Sequence, residues 1–223
     1  MSINAAVFFD LDGTLLDTAE DFVLTLEILC ARHGVALPGA TNIRNTVSDG
    51  SRALVKLAFA CEEDSPDFEL LREELLDIYE QVLGQQTRLF DGLQNTLNIL
   101  QESALPWGVV TNKPRRFAAP LMQRMSLIPE YAVLVCPDDV SNAKPHPEPL
   151  YLAAKQVGAR PASCLYVGDH ARDIEAGRNA GMKTVAAAYG YVGNRSEAEA
   201  WNADHTINHG RELQSIVRDL YIS

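Results

Sequence analysis

The stretch Val7-Phe8-Phe9-Asp10-Leu11-Asp12-Gly13-Thr14-Leu15 constrains this chain more than any other. Val7 to Phe9 is short, apolar, β-branched and aromatic, as a buried strand should be, and Gly13 supplies a sharp turn to end it. Alternation along a strand would point Asp10 and Asp12 to one side and Leu11 to the other. Like charges that close repel, and relief comes from a cation between them, a proton on one of them, or solvation of both. The first two together describe a metal-assisted acid/base site. An Asp-Gly turn that caps a helix is the plainer alternative.

Three later segments place complementary chemistry just after other strand-like runs. Trp107-Gly108-Val109-Val110 leads to Thr111, Asn112 and Lys113, and Val133-Leu134-Val135 opens a stretch that reaches Lys144. Ser163 to Val167 runs into Gly168, Asp169, His170, Ala171, Arg172 and Asp173. In an open parallel sheet the loops after the strands converge at one edge, beside the topological switch point. Carboxylates, a hydroxyl and an ammonium would then meet in space. From Asp91 onward helical and strand-like segments alternate, as in βαβ units.

This ordered set resembles the haloacid dehalogenase superfamily over essentially the whole chain. Asp10-Leu11-Asp12-Gly13-Thr14 is similar to its first motif, Thr111-Asn112 to its second, Lys144-Pro145 to its third, and Gly168-Asp169 with Asp173 to its fourth. The resemblance implies an α/β fold: a Rossmann-like three-layer core with a parallel sheet, plus an inserted helical cap domain. It implies Asp10 as a nucleophile that forms an aspartyl-phosphate and Asp12 as general acid/base. Thr111 and Lys144 would bind the phosphoryl group, joined by Asn112 and Lys113. It also implies Mg²⁺ held by the Asp10 carboxylate, the Asp12 backbone carbonyl and Asp169, with Asp173 acting through a metal-bound water or by orienting Lys144. Asp at position 12 resembles the phosphoryl-transfer members, because expelling halide needs no proton donor.

Charge and composition bound the partners. The formal net charge is -11, which argues against general binding to nucleic acid or an anionic membrane. No apolar stretch approaches the ~20 residues of a membrane span, and the N-terminus lacks the basic-then-apolar order of a signal peptide, so cytoplasm is expected. Cys30, Cys61, Cys136 and Cys164 are far apart without a C-x-x-C pair, which predicts buried free thiols. An anionic substrate would need local cations, for which Lys113, Arg115, Arg116 and Arg52 are available beside Lys144. His205 and His209 are four apart but sit in a loop-like context and are assigned no metal.

Between the first and second motifs the chain is helical without strands. Asp17 or Thr18 with Asp21 resembles a helix N-cap. Helical spacing then runs from Phe22 to His33, again after Gly50, and from Phe68 to Leu83. The expected division is a core of 1–16 with 85–223 and a cap of 17–84. Substrate selection is expected in the cap loop at Ser48, Gly50 and Arg52. Arg52 can take a substrate carboxylate in a bidentate fork or stand as an exposed helix residue, and Ser48 can donate to a ligand or cap the next helix. His170, between the two acids of the fourth motif, either contacts substrate or lines the entrance.

At finer grain, Val110 to Pro114, Val135 to Asp138 and Lys144 to Pro149 resemble the phosphoglycolate-phosphatase-like branch. That implies a small carboxylate-bearing phosphate ester, an amino-sugar acid 6-phosphate or 2-phosphoglycolate, and a monomer or homodimer. A sugar-phosphate mutase of the same fold is an alternative. So is a phosphoreceiver signalling domain, which should be shorter and lack the inserted helices.

Overall fold

Val7–Phe9 forms strand β1, and all three side chains are fully buried, as an unbroken apolar run in a doubly covered sheet requires. A computed structural model describes residues 4–193 and 195–222. Its further elements, in chain order, are β2 (Leu16–Asp17), α1 (Ala19–His33), α2 (Ala40–Thr46), α3 (Ser51–Phe59), α4 (Phe68–Val82), β3 (Arg88–Leu89), α5 (Leu93–Glu102), β4 (Trp107–Val110), α6 (Arg115–Met125), β5 (Val133–Val135), α7 (Glu148–Gln156), β6 (Leu165–Gly168), α8 (Ala171–Asn179), β7 (Lys183–Ala187), α9 (Arg195–Ala200), β8 (His205–Ile207) and α10 (Leu213–Tyr221). Among the described residues no helix is long and apolar enough to cross a membrane. Cys30, Cys136 and Cys164 are buried free thiols, while Cys61 is only partly buried.

Contacts gather the chain into two units, 1–16 with 89–223 and 17–88. The first holds a six-stranded parallel sheet in the order β5-β4-β1-β6-β7-β8, flanked by helices in a Rossmann-like α/β arrangement. Its chain runs from β1 outward to β4 and β5, then returns to β6 on the other flank of β1. The sheet order therefore reverses beside β1. Phe8, Val110, Val135, Leu150, Ala153 and Tyr166 pack into one buried cluster. Gly108 is required on β4, because a Cβ there would lie 2.3 Å from Val133 Cγ1 and 2.6 Å from the Val133 carbonyl.

The second unit is built from α1 to α4. Phe22 of α1 stacks on Tyr79 of α4, with ring centroids 4.1 Å apart and planes at 8°, and Leu26, Leu29, Leu75 and Ile78 are buried around them. Helix α2 follows Pro38-Gly39 and was not among the helices read from sequence. Ala40 to Thr46 has one buried apolar residue, Ile43, so it offers no periodicity to read.

Asp21 corrects two expectations. It does not cap α1: Thr18 occupies the N-cap position without a side-chain capping bond, while Asp17 Oδ1 accepts from the Ala19 N–H at 3.5 Å and its carboxylate takes both amino groups of Arg44 at 2.9 and 3.0 Å. Instead the fully buried Asp21 carboxylate accepts from Gly84 N at 2.6 Å, Gln86 N at 2.7 Å and Thr87 Oγ1 at 2.6 Å. Those bonds fold residues 85–88 onto the helical unit rather than into the core assigned from sequence. Breaking a buried, multiply bonded carboxylate strands its donors. We expect Asp21→Ala to lower unfolding free energy by roughly 3 kcal/mol in urea denaturation; a loss under about 1 kcal/mol would show that water replaces the carboxylate.

Candidate active site

Strand register brings the three motif loops together. Phe9 pairs with Val109 on one side and Val167 on the other, so Asp10, Thr111 and Asp169 emerge within a residue of one another at the C-terminal edge. The Asp10 N–H still bonds the Val167 carbonyl at 2.9 Å, and the Thr111 N–H bonds the Val135 carbonyl at 3.0 Å. The backbone at both positions is thus held by the sheet while the side chains leave it. This is the switch-point edge, where open α/β sheets bind ligands.

Lys144 ends at the centre of this edge, its side chain only 1% exposed. Its Nζ donates to the Val110 carbonyl at 3.0 Å, Tyr166 Oη at 2.8 Å and Asp173 Oδ1 at 2.7 Å. Asp10 Oδ1, a buried oxygen with no other hydrogen-bond partner, lies 2.9 Å away as an ion pair. Burial alone would push the ammonium's pKa down; the Asp10 and Asp173 carboxylates more than offset that and hold it above its ordinary value. Burial, with the Asp173 and Asp10 charges behind it, likewise keeps the Tyr166 hydroxyl protonated far above its usual range.

Carboxylate oxygens of Asp10, Asp169 and Asp173 all come within 4.8 Å of one another. Asp169 Oδ1 accepts from Thr14 Oγ1 and Oδ2 from Tyr191 N, each at 2.9 Å. Two glycines permit this closeness. A Cβ on Gly13, which has φ +80°, would lie 2.1 Å from Asp169 Oδ2, and one on Gly190 would lie 2.2 Å from the Gly13 carbonyl and 2.4 Å from Asp169 Cβ. Burial, then repulsion from Asp10 and Asp173, pushes the Asp169 pKa up to about 8 against the lowering effect of its two donors. A buried set of hard oxygen donors, with an Asp10 oxygen that has no hydrogen-bond partner beyond the Lys144 ammonium, suits a small hard cation such as Mg²⁺. Asp10 has the most to offer it. Both oxygens of Asp169 already accept hydrogen bonds, and so do both of Asp173, Oδ1 from Lys144 and Oδ2 from the His170 N–H at 3.1 Å.

The remaining sequence-derived candidates divide. Asp12 does not share a cation with Asp10 through its carboxylate; its Oδ1 meets Lys113 Nζ at 2.8 Å, so the two first-motif acids are compensated by different lysines. Thr111 Oγ1 accepts from the Lys113 N–H at 3.1 Å, which leaves the hydroxyl able to donate to a ligand oxygen. Asn112, expected on substrate, spends its amide on the Lys144 backbone: Nδ2 donates to the carbonyl at 2.9 Å and Oδ1 accepts from the N–H at 3.1 Å. It ties the second motif to the third. Arg115 pairs with Asp139 and donates to the Leu134 carbonyl at 3.0 Å, away from this cluster.

His170 is the N-cap of α8, where Nδ1 accepts from the Arg172 N–H at 3.1 Å and the Asp173 carboxylate completes a capping box. The cap-unit candidates lie in the other unit. Gly50, with φ +85°, joins a short helical turn of Val47–Asp49, which contains Ser48, to α3. Arg52 fits the second of its two readings, an exposed helix residue, and faces Glu63 at 3.0 Å and Glu69 at 2.6 Å. Residues the sequence reading passed over are Thr14, Tyr166, Tyr189 and Tyr191. Tyr191 N donates to Asp169 Oδ2 and Tyr189 Oη to the Thr14 carbonyl, each at 2.9 Å, contacts that no local pattern carries.

Comparison with known proteins gives consistent neighbours. A family model described as haloacid dehalogenase-like hydrolase matches residues 7–187. The N-acetylmuramic acid 6-phosphate phosphatase of Pseudomonas aeruginosa is 46% identical over 212 residues, 95% of this chain and 94% of its own. A phosphoglycolate phosphatase of Xanthomonas campestris is 40% identical over 213 residues, 96% of each chain. In fold, the chain is similar to the crystal structure of a predicted phosphoglycolate phosphatase from Haemophilus somnus, with TM-score 0.83, 24% identity, and coverage of 95% of this chain and 97% of that one.

The raised Asp169 pKa sets a pH dependence. Without a cation the folded protein keeps a proton that the unfolded chain loses near its ordinary value of 3.8, so Asp169 contributes stability at low pH that is lost as pH rises toward about 8. A divalent cation favours the ionised form and restores that stability. The thermal midpoint should therefore rise on adding MgCl₂, and rise more at about pH 8.5 than at about pH 6 in a calorimetric scan. Equal shifts at both values would contradict a cation on Asp169.

Proposed function

Because this chain belongs to the haloacid dehalogenase-like hydrolase family and is a phosphatase, we propose that it hydrolyses a small carboxylate-bearing phosphate monoester through an aspartyl-phosphate on Asp10. The observation that carries this reading is the buried Lys144 ammonium, 2.9 Å from Asp10 and 2.7 Å from Asp173, within a carboxylate cluster at the sheet's switch point. A carboxylate attacking a phosphate dianion must overcome charge repulsion, so positioning and charge compensation dominate.

In the proposed sequence an Asp10 carboxylate oxygen attacks phosphorus while the bond from phosphorus to the ester oxygen breaks. Asp12 gives a proton to the departing oxygen. Water then attacks the phosphorus of the aspartyl-phosphate, Asp12 takes its proton, and the bond to the Asp10 oxygen breaks to release inorganic phosphate. Lys144 and Lys113 supply positive charge, and the Thr111 hydroxyl donates where charge accumulates. Mg²⁺, held by Asp10 and Asp169 with the Asp12 carbonyl, would supply Lewis-acid charge to the phosphoryl oxygens. Asn112 keeps Lys144 in place through its backbone. Selection of the leaving group is assigned to the helical unit around Ser48 and Gly50.

The substrate we infer first is N-acetylmuramic acid 6-phosphate, supported by 46% identity across nearly the whole of a phosphatase named for it. Such a substrate would place the protein in peptidoglycan recycling. 2-Phosphoglycolate is the second reading, favoured by the 40% identity to a phosphoglycolate phosphatase over equal coverage. Both esters join a phosphate to a carboxylate.

A side-by-side assay of these two esters and several hexose 6-phosphates, with and without chelator, should give the highest kcat/KM for N-acetylmuramic acid 6-phosphate and loss of turnover with chelator. A preference for 2-phosphoglycolate of about tenfold or more reverses the order of the readings. Isomeric product without free phosphate would instead indicate a mutase. Asp10→Asn should abolish phosphate release, by more than about 10³-fold, while leaving the thermal midpoint within a few degrees. Appreciable residual turnover would remove Asp10 from the nucleophile's role.

A further inference from the structure

Lys113, in the loop between β4 and α6, is almost withdrawn from water, with its side chain 6% exposed. It touches polar groups of two different loops. Its backbone N–H donates to Thr111 Oγ1 at 3.1 Å, and its ammonium donates to Asp12 Oδ1 at 2.8 Å, 101 positions away in the chain. The backbone around Asp12 is already fixed, since Asp12 bridges to Leu16 and the Gly13 N–H bonds the Leu16 carbonyl at 3.0 Å. A fixed backbone does not fix the carboxyl, because the terminal torsion of an aspartate is broad.

We propose that Lys113 is a positioning residue that sets the plane of the Asp12 carboxyl and confines its exchangeable proton to Oδ2. This rests on the reading of Asp12 as general acid/base given above. An oxygen that accepts an ammonium N–H at 2.8 Å is a poor place for a proton, since an O–H and an N–H would oppose each other across one short contact. Oδ1 therefore stays the carbonyl-type oxygen in both protonation states. Oδ2 gives its proton to the departing ester oxygen and later takes one from the attacking water, so the carboxyl need not turn between the two half-reactions. Proton transfer needs a reach of about 2.6–3.2 Å between heavy atoms, and a carboxyl left to swing would lose both steps. The bond to Thr111 Oγ1 anchors the same residue through its backbone, so the phosphate-binding hydroxyl and the acid are set together.

Phenyl phosphate and p-nitrophenyl phosphate carry no carboxylate and share a ring, but phenoxide needs a proton to depart far more than p-nitrophenoxide does. With MgCl₂ present, Lys113→Met should lower kcat/KM for phenyl phosphate about tenfold more than for p-nitrophenyl phosphate. It should also release p-nitrophenol in a burst of about one equivalent per enzyme, because the water step still needs Asp12. Lys113→Arg keeps a charged donor and should hold the ratio of the two kcat/KM values within about threefold of wild type. Equal losses on both esters would make Lys113 a source of charge alone and overturn the proposal. So would absence of the burst, a ratio in Lys113→Arg as distorted as in Lys113→Met, or a thermal midpoint of Lys113→Met below the assay temperature, which would make the ion pair structural. Two further arms detect failure of the underlying reading separately: Asp12→Asn with an unchanged ratio would remove Asp12 as the acid, and absence of phosphate release by the wild-type protein would sink the phosphatase.

Discussion

The buried Lys144 ammonium organises the core unit. Lys144 is surrounded by Asp10, Asp173, the Tyr166 hydroxyl and the Val110 carbonyl, with almost no access to water. Unpaired, such a charge would cost several kcal/mol to bury, and so would each carboxylate. Lysine and acids therefore require one another, and removing either strands the rest. One ammonium cannot neutralise the three acids that converge, and burial, with repulsion from Asp10 and Asp173 behind it, pushes the Asp169 carboxyl up. A hard cation supplied by the proposed chemistry is the natural complement.

The sheet makes such a concentration of charge possible. Parallel neighbours on both flanks of β1 end nearly level, so loops far apart in the chain meet with little freedom to retreat. Gly13 and Gly190 remove side chains where the backbone must pass within van der Waals distance of Asp169. Asn112 fastens the second motif to the third through paired backbone bonds to Lys144. The members of the site are held by backbone on one side and by each other on the other.

Some of this was legible in the chain and some was not. The strands β1, β4 and β6 could be read from unbroken apolar runs, because a strand covered on both faces needs no polar alternation. Helices α1, α3 and α4 showed their apolar stripes, but α2 carries one buried apolar residue and β8 spans three residues, Thr206 among them, so neither had a period to detect. The carboxyl of Asp21 looked like a cap from its place near a helix start, and its real partners lie more than sixty positions away at Gly84, Gln86 and Thr87. Arg52 looked available because the acids that engage it, Glu63 and Glu69, are indistinguishable in sequence from solvated surface.

The order of residues alone determined which chemical groups the protein possesses, which strand ends carry them, and that four such ends recur in a pattern with phosphoryl-transfer chemistry. Only the folded arrangement decided which charge answers which. It gave Asp12 to Lys113 and Asp10 to Lys144, turned Asn112 from a ligand group into a brace, and brought the hydroxyl of the core residue Tyr166 to the polar cluster. The reason is physical. Propensity and periodicity act over a few residues, whereas the partner of a buried charge is set by distances of about 3 Å between segments that only the sheet brings together.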